Sequence, residues 1–460
     1  MTRREMLRTS GLGFGALAAS WLGANADGAV RQPHGKPRAK AVIMLMQNGG
    51  PGQMDLFDPK PDLDRFDGKV HNEQVEMFQK GSEANKLLKS PFQFHERGQC
   101  GMELSEIIPA IGTVADELCL VRSMVSEHNN HTEGLVLMNT GKIFQGRPAL
   151  GSWISYGLGT ENRNLPAYVV LRDPAGYNTS GTLLWQNGWL PAKHRGTEIN
   201  TQGTPVWNLD SPEGLDPAAR KDDLKFLAEL NRRHQRRYAG YSDLEARIEN
   251  YELAARMQLE AADLLNLDKE SEATKKLYGL DVETTKNYGL RCLMARRLVE
   301  AGVRFVQIFP PLKPQFQPWD AHTNTKTENE TICGQCDLPS AALITDLKQR
   351  GLLDDTLVLW TGEFGRLPVS QNKTGRDHNR NAFSLFLAGA GFKRGHIHGS
   401  TDEVGYRVAD GKLTVSDLHA TILERLGLDH NRLSYLHDGG PETLTDSRVT
   451  GARVATELYA

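Results

Sequence analysis

The chain has 460 residues, with 54 Lys and Arg against 57 Asp and Glu and a formal net charge of −3. That length suits a large single α/β domain or two smaller ones. Near-balanced charge without long Lys or Arg runs excludes a protein built around nucleic acid or an acidic membrane surface.

At the amino terminus, Thr2-Arg3-Arg4-Glu5-Met6-Leu7 precedes an apolar, Gly/Ala-rich run, Gly11–Gly23, and then Ala24-Asn25-Ala26. Paired arginines, a short apolar stretch and an A-x-A cleavage pattern read as a twin-arginine signal peptide over residues 1–26. The run is too short and too Gly-rich to stay in a bilayer. The expected product is periplasmic or secreted, with no stable membrane span once the signal is removed. Residues 27–39, rich in Pro and Gly and basic, read as a linker. Five cysteines (Cys100, Cys119, Cys292, Cys333, Cys336) are an odd, sparse set and no disulfide framework. Cys333-x-x-Cys336 lacks the second pair a zinc knuckle needs. A local disulfide or two buried thiols are the readings left.

In chain order, Ala41–Met46 is the first strand, and Gln47-Asn48-Gly49-Gly50-Pro51-Gly52 leaves its end. Asn48 and Asp55 are the metal-capable groups there, although a plain turn fits the glycines equally. Asp58–Ser90 reads as polar and irregular, with Pro59 and Pro61 marking turns. Leu104–Ala115 has the spacing of an amphipathic helix and Leu118–Arg122 that of a short strand. The loop Ser126–Gly134, SEHNNHTEG, then crowds His128, Asn129, Asn130, His131, Thr132 and Glu133 together. Such clustering has little structural motive, because buried polar groups need partners.

Gly151–Leu158 predicts a helix and Ala167–Leu171 a strand. Asp173–Pro217 reads as a long substrate-facing insertion, and residues 216–287 as a charged helical insertion. Tyr288–Ala301 is an expected helix and Val303–Phe309 a strand, whose exit leads to Trp319-Asp320-Ala321-His322. Asp320 and His322, just past a strand, form a compact ligand pair. Pro339–Arg350 is an expected helix feeding the strand Thr356–Trp360. At that strand's carboxyl end stands Thr361-Gly362-Glu363-Phe364-Gly365-Arg366, followed by Gly375-Arg376-Asp377-His378-Asn379 and the strand Ala382–Ala388. Open α/β sheets place ligand chemistry at such an edge. Glu363 and His378 therefore read either as metal or catalytic groups, or as an ion pair with Arg366 and a loop cap. Leu413–Val415 precedes a helix from Ser416, capped by Ser416 or Asp417, in which His419 reads as packing.

Taken together, six segments resemble an exported bacterial family known as domain of unknown function 1501. They are Asn48–Asp58 (NGGPGQMDLFD), His128–Gly141, Trp319–His322, Leu347–Arg366, Gly375–Asn379 and Ser416–Gly427 (SDLHATILERLG). The family is similar to the sulfatase-like branch of the alkaline phosphatase superfamily, and the resemblance covers nearly the whole mature chain. It implies one α/β domain over residues 40–460, with a mostly parallel central sheet flanked by helices on both faces. It also implies hydrolysis of a phosphate or sulfate ester, on a small-molecule or glycan substrate, with one or two divalent metals. Mixed His and carboxylate ligation favours Zn or Mn. In this reading Asp320, His322 and His378 bind one metal. Glu363, with Asn48 or Asp55, serves a second site or orients the first. Thr132 is the nucleophile, His131 a ligand or general base, and His128, Arg366 and Arg376 bind substrate. The rival reading is a non-catalytic envelope protein of the same fold that binds a sulfated glycan or a partner protein. The sulfatase nucleophile motif C/S-x-P/A-x-R is missing, and Asn48 stands where the superfamily has an acid.

Overall fold

The computed structural model describes residues 33–201, 217–238, 242–260, 262–312 and 317–459. The expected signal peptide, residues 27–32 of the expected linker and residues 202–216 of the long insertion lie outside them. Pro33–Ala460 clusters as one unit.

Nine strands form the main sheet: β1 (Ala41–Met46), β2 (Leu118–Val125), β3 (Tyr168–Leu171), β4 (Thr197–Glu198), β5 (Phe305–Ile308), β6 (Thr356–Thr361), β7 (Phe383–Ala388), β8 (His396–His398) and β9 (Leu413–Thr414). Their order is β8-β2-β7-β6-β1-β5-β3-β4, with β9 paired to β2. β1 lies parallel to β6, with Ala41 opposite Thr356, and parallel to β5, with Val42 opposite Phe305. Only β7 runs antiparallel to its neighbours, β2 and β6. β1, β5 and β6 are apolar along almost their whole length because each is buried on both faces.

The strand period of two divides β1 between two cores. Ile43 and Leu45 pack with Leu293, Leu298, Leu343 and Leu347 from helices α5 (Glu283–Glu300) and α6 (Thr325–Gln349). Val42, Met44 and Met46 pack with Leu135, Trp153, Ile154 and Ile422 on the other face. Those residues come from α1 (His131–Thr140), α2 (Leu150–Leu158) and α7 (Val415–Arg425). Full burial of each such side chain contributes about 1.5–3 kcal/mol. The architecture is therefore the expected α/β one, a mostly parallel sheet with helices on both faces. Between β4 and α5 lie α3 (Pro217–Arg237), α4 (Ser242–Glu260) and shorter helices at Ala262–Leu265 and Glu272–Leu277. Among the described residues no helix is long and apolar enough to cross a membrane.

Several local expectations need correction. Leu104–Ala115 is not one helix: Met102–Ser105 is a strand paired with Phe94–Arg97, Pro109–Gly112 is a single α-helical turn, and a 3-10 turn starts at Ala115. Met102 and Leu104 turn inward while Glu103 is exposed, so the apolar spacing belongs to a strand. α6 begins at Thr325, with the Asn324 side chain accepting the Thr327 N–H at 3.2 Å, and Pro339 lies inside it. Ile332, Cys333 and Cys336 bury ahead of the proline, so packing against the core outweighs the lost hydrogen bond. α7 is capped by Thr414, and Asp417 completes a capping box from the third helical position. Cys333 and Cys336 are buried free thiols. Residues 33–39 do not trail away as a linker: the Arg38 and Ala39 amides both donate to the Arg425 carbonyl at 2.8 Å.

Candidate metal centre

The site forms at the edge where β1, β2, β5 and β6 end and β7 begins. β2 leads through Ser126–Asn130 into α1, which sets His131 in its first turn. The exit of β5 carries Asp320 and His322, the end of β6 carries Glu363, and the approach to β7 carries His378. Two glycines allow these segments to meet. At Gly375 a side chain would collide with the His322 carbonyl, and at Gly49, with φ +118°, it would lie 2.6 Å from the Trp319 amide.

His131, Asp320, His322 and His378 each offer one ligand atom, and these atoms all lie within 4.8 Å of one another. His131 Nε2 is 3.2 Å from Asp320 Oδ1, His322 Nε2 2.8 Å and His378 Nε2 3.1 Å. The His322 and His378 Nε2 atoms are 3.0 Å apart. A tetrahedral zinc site with bonds of about 2.0–2.1 Å holds its ligand atoms roughly 3.3 Å apart, close to this spacing.

The other nitrogen of each ring is engaged by an acceptor. His131 Nδ1 meets Glu363 Oε1 at 2.7 Å, His378 Nδ1 meets the Asn129 carbonyl at 2.6 Å, and His322 Nδ1 meets Gln371 Oε1. Those acceptors place each imidazole proton on Nδ1 and leave the Nε2 lone pairs facing one carboxylate oxygen. Satisfying all three by protonation would gather three imidazolium charges and Arg366 around a single Asp320. One divalent cation satisfies the same atoms as they stand.

The electrostatics agree. Burial works against the Asp320 carboxylate, yet the Arg366 guanidinium at 2.6 Å holds its pKa well below the usual range. Burial, reinforced by Arg366 and His131, pushes His378 down to about 3, so that ring is a neutral donor at physiological pH. For His131 burial is opposed by Asp320 and Glu363, which raise its pKa on balance.

The remaining expected residues take other places. Asp55 is not a ligand: its carboxylate is bound by both Arg376 Nε (2.8 Å) and Nη2 (3.1 Å), inside a fully buried pair. Arg376 therefore does not face substrate, and its Nη1 and Nη2 also reach the Leu367 and Leu88 carbonyls. Arg366 is likewise buried, spending its guanidinium on Asp320 and on the carbonyls of Gly49, Gly50 and Arg376. It fixes Asp320 and, being buried, is not open to substrate. Glu363 holds His131 and the Gly49 amide, which matches an orienting role and not a second metal site. Asn48 is buried and donates to Gln317 Oε1 at 2.6 Å. Thr132 follows His131 in the first turn of α1 and is half-buried. His128 is half-exposed, and its Nδ1 accepts the Asn130 amide. Sequence reasoning missed Gln371 and gave Asn129 no role. A glutamine and a backbone carbonyl carry no ligand signature, and only the fold shows them behind His322 and His378.

An α/β sheet with three imidazoles and a carboxylate converging at its carboxyl edge defines a protein equipped to hold a divalent metal. The chain belongs to the family described as protein of unknown function (DUF1501), which matches residues 39–458. A search among curated proteins gave no match. Among solved structures the chain is similar to a sulfatase from Pseudoalteromonas sp., at 13% identity and TM-score 0.35, over 90% of this chain and 71% of that one. It is also similar to a phosphonate monoester hydrolase from Silicibacter pomeroyi, at 14% identity and TM-score 0.32, over 76% of this chain and 72% of that one. A third is the alkaline phosphatase of the Antarctic bacterium TAB5, at 10% identity and TM-score 0.33, over 86% of this chain and 100% of that one.

Proposed function

We propose that the chain is an exported hydrolase of phosphate or sulfate esters that depends on one divalent ion, Zn or Mn, held by His131, Asp320, His322 and His378. The observation that carries this reading is the convergence of three Nε2 lone pairs on Asp320 Oδ1, with every Nδ1 fixed by an acceptor. Mixed imidazole and carboxylate ligation favours Zn or Mn over Ca. A bound ion supplies Lewis acidity towards the ester oxygen and lowers the pKa of a neighbouring hydroxyl.

The chain's own groups supply the rest. Glu363 Oε1 holds His131 Nδ1 and leaves Nε2 turned towards Asp320, which supports a ligand's role for His131 over that of a general base. Thr132, next in the chain, offers the hydroxyl nucleophile. Its Oγ would bond to phosphorus or sulfur as the ester oxygen leaves, and water would later release the acid. Asn130 caps α1 without a side-chain hydrogen bond, so the first-turn amides beside His131 suit an oxyanion. The Arg3-Arg4 and Ala24-Asn25-Ala26 signals support export.

The experiment is a screen of aryl phosphate, phosphodiester and sulfate esters with Zn2+ and Mn2+, on the wild type and on Thr132→Ala. We expect metal-dependent turnover by the wild type. Thr132→Ala should lose it while binding the same amount of metal. Full turnover by Thr132→Ala would remove the covalent route, and no turnover of any ester would remove the hydrolase reading.

A further inference from the structure

We propose that Gln79, on the segment Glu76–Gly81, is the residue that contacts an oxyanion bound at the metal centre, and that Asp377 positions it. This rests on the reading of His131, Asp320, His322 and His378 as metal ligands.

The segment falls in the stretch that reads from sequence as irregular and polar, yet it is tied to the ligand loops at both ends of its turn. The amides of Phe78 and Gln79 both donate to Asp377 Oδ2 at 2.8 Å. The other oxygen of that buried carboxylate accepts the amide of His378, also at 2.8 Å. Gln371, whose Oε1 holds His322, donates through Nε2 to the Lys80 carbonyl at 2.9 Å. The groups that set His378 and His322 therefore also set Phe78–Lys80. Phe78 stacks flat on the His378 ring, with centroids 4.8 Å apart at an interplanar angle of 16°. Phe78 is 38% exposed, so this ring forms a wall between His378 and solvent.

Gln79 reaches the neighbouring imidazole, His322. Its Nε2 lies 3.5 Å from His322 Nε2, the nitrogen that a metal would take. An amide N–H at that distance holds its acceptor weakly. Once the lone pair of His322 is given to an ion, the amide needs another acceptor. An anion oxygen approaching the centre from the Gln79 side would be beside it. A neutral amide can hold a tetrahedral oxyanion there without competing with the ligands for the metal.

The test uses the full chain loaded with Co2+, whose visible absorption reports its coordination, and inorganic phosphate and sulfate as probes. The wild type should bind Co2+, and one of the two anions should perturb its spectrum. Gln79→Ala should bind Co2+ within twofold of the wild type and bind that anion about tenfold more weakly, the loss of one hydrogen bond. Asp377→Asn should weaken the anion similarly and speed hydrogen exchange at the Phe78 and Gln79 amides. If that variant fails to fold, Gln79→Ala, a change at an exposed side chain, decides alone. A normal Co2+ spectrum with wild-type anion affinity in Gln79→Ala overturns the assignment of Gln79, as does a wild-type spectrum that neither anion alters. A wild type that binds no Co2+ overturns the metal reading beneath it.

Discussion

Glu363→Gln separates a residue that orients a ligand from one that merely fills space. Glu363 is fully buried, and its Oε1 meets both His131 Nδ1 at 2.7 Å and the Gly49 amide at 2.9 Å. Glutamine keeps the volume but replaces one oxygen by a donor. If the new NH2 faces His131, the imidazole proton must move from Nδ1 to Nε2, where it masks the lone pair aimed at Asp320. If it takes the place of Oε2, it sets a donor about where Oε2 now accepts the buried Gly49 amide at 3.1 Å, donor against donor. Changing such a supporting carboxylate typically weakens metal binding about 10–100-fold, or roughly 1.4–2.8 kcal/mol. The assay is competition for Zn2+ against a chelator of known affinity, with circular dichroism to show that the variant is folded. A folded Glu363→Gln that binds Zn2+ within twofold of the wild type would refute the role assigned to Glu363.

Asp55→Ala should behave differently. It strands Arg376 inside the protein, and breaking one side of a buried pair costs about 3–5 kcal/mol. Urea unfolding should show that loss, while the folded fraction keeps its full complement of metal. His419 gives the chain a pH dependence of its own. Burial lowers its pKa from 6.5 to about 4, and its Nε2 is bonded to the Met138 carbonyl at 2.9 Å. A depressed imidazole pKa means that the unfolded chain takes up the proton first. The stability His419 contributes is therefore complete above about pH 6.5 and is lost as pH falls towards 4. Over that window the loss is roughly 3 kcal/mol. His419→Gln should flatten that part of the curve in denaturant titrations at pH 4.5 and 7, and an unchanged slope would contradict the assignment.

The sheet was legible because its strands are short, apolar and β-rich, and because burial on both faces leaves that mark on β1, β6 and β7. Helix boundaries were less so. Met102–Ser105 and the first half of α6 follow tertiary packing that local spacing does not encode, and Pro339 sits where a helix start would be expected. Asp320, His322 and His378 stood out because His and Asp beside strand ends have few structural reasons to be there, and His131 because its loop was crowded with polar groups. What could not be read was the allocation of charge. Asp55, Arg366, Glu363 and Arg376 have the same types and spacing as ligands or substrate clamps. Only the folded chain shows that Arg376 neutralises Asp55 while Arg366 holds Asp320. Gln371 and Asp377 act through a single hydrogen-bond geometry each, and such geometry leaves no trace in residue spacing.

Uptake of one divalent ion by His131, Asp320, His322 and His378 is read out by calorimetric titration of chelator-stripped protein with Zn2+, run beside the folded double variant His322→Ala/His378→Ala. The wild type should take up one ion per chain, with release of heat and a rise in melting temperature, and the double variant should show neither. Absence of binding by the wild type, or equal binding by the double variant, would contradict the assignment of these four ligands.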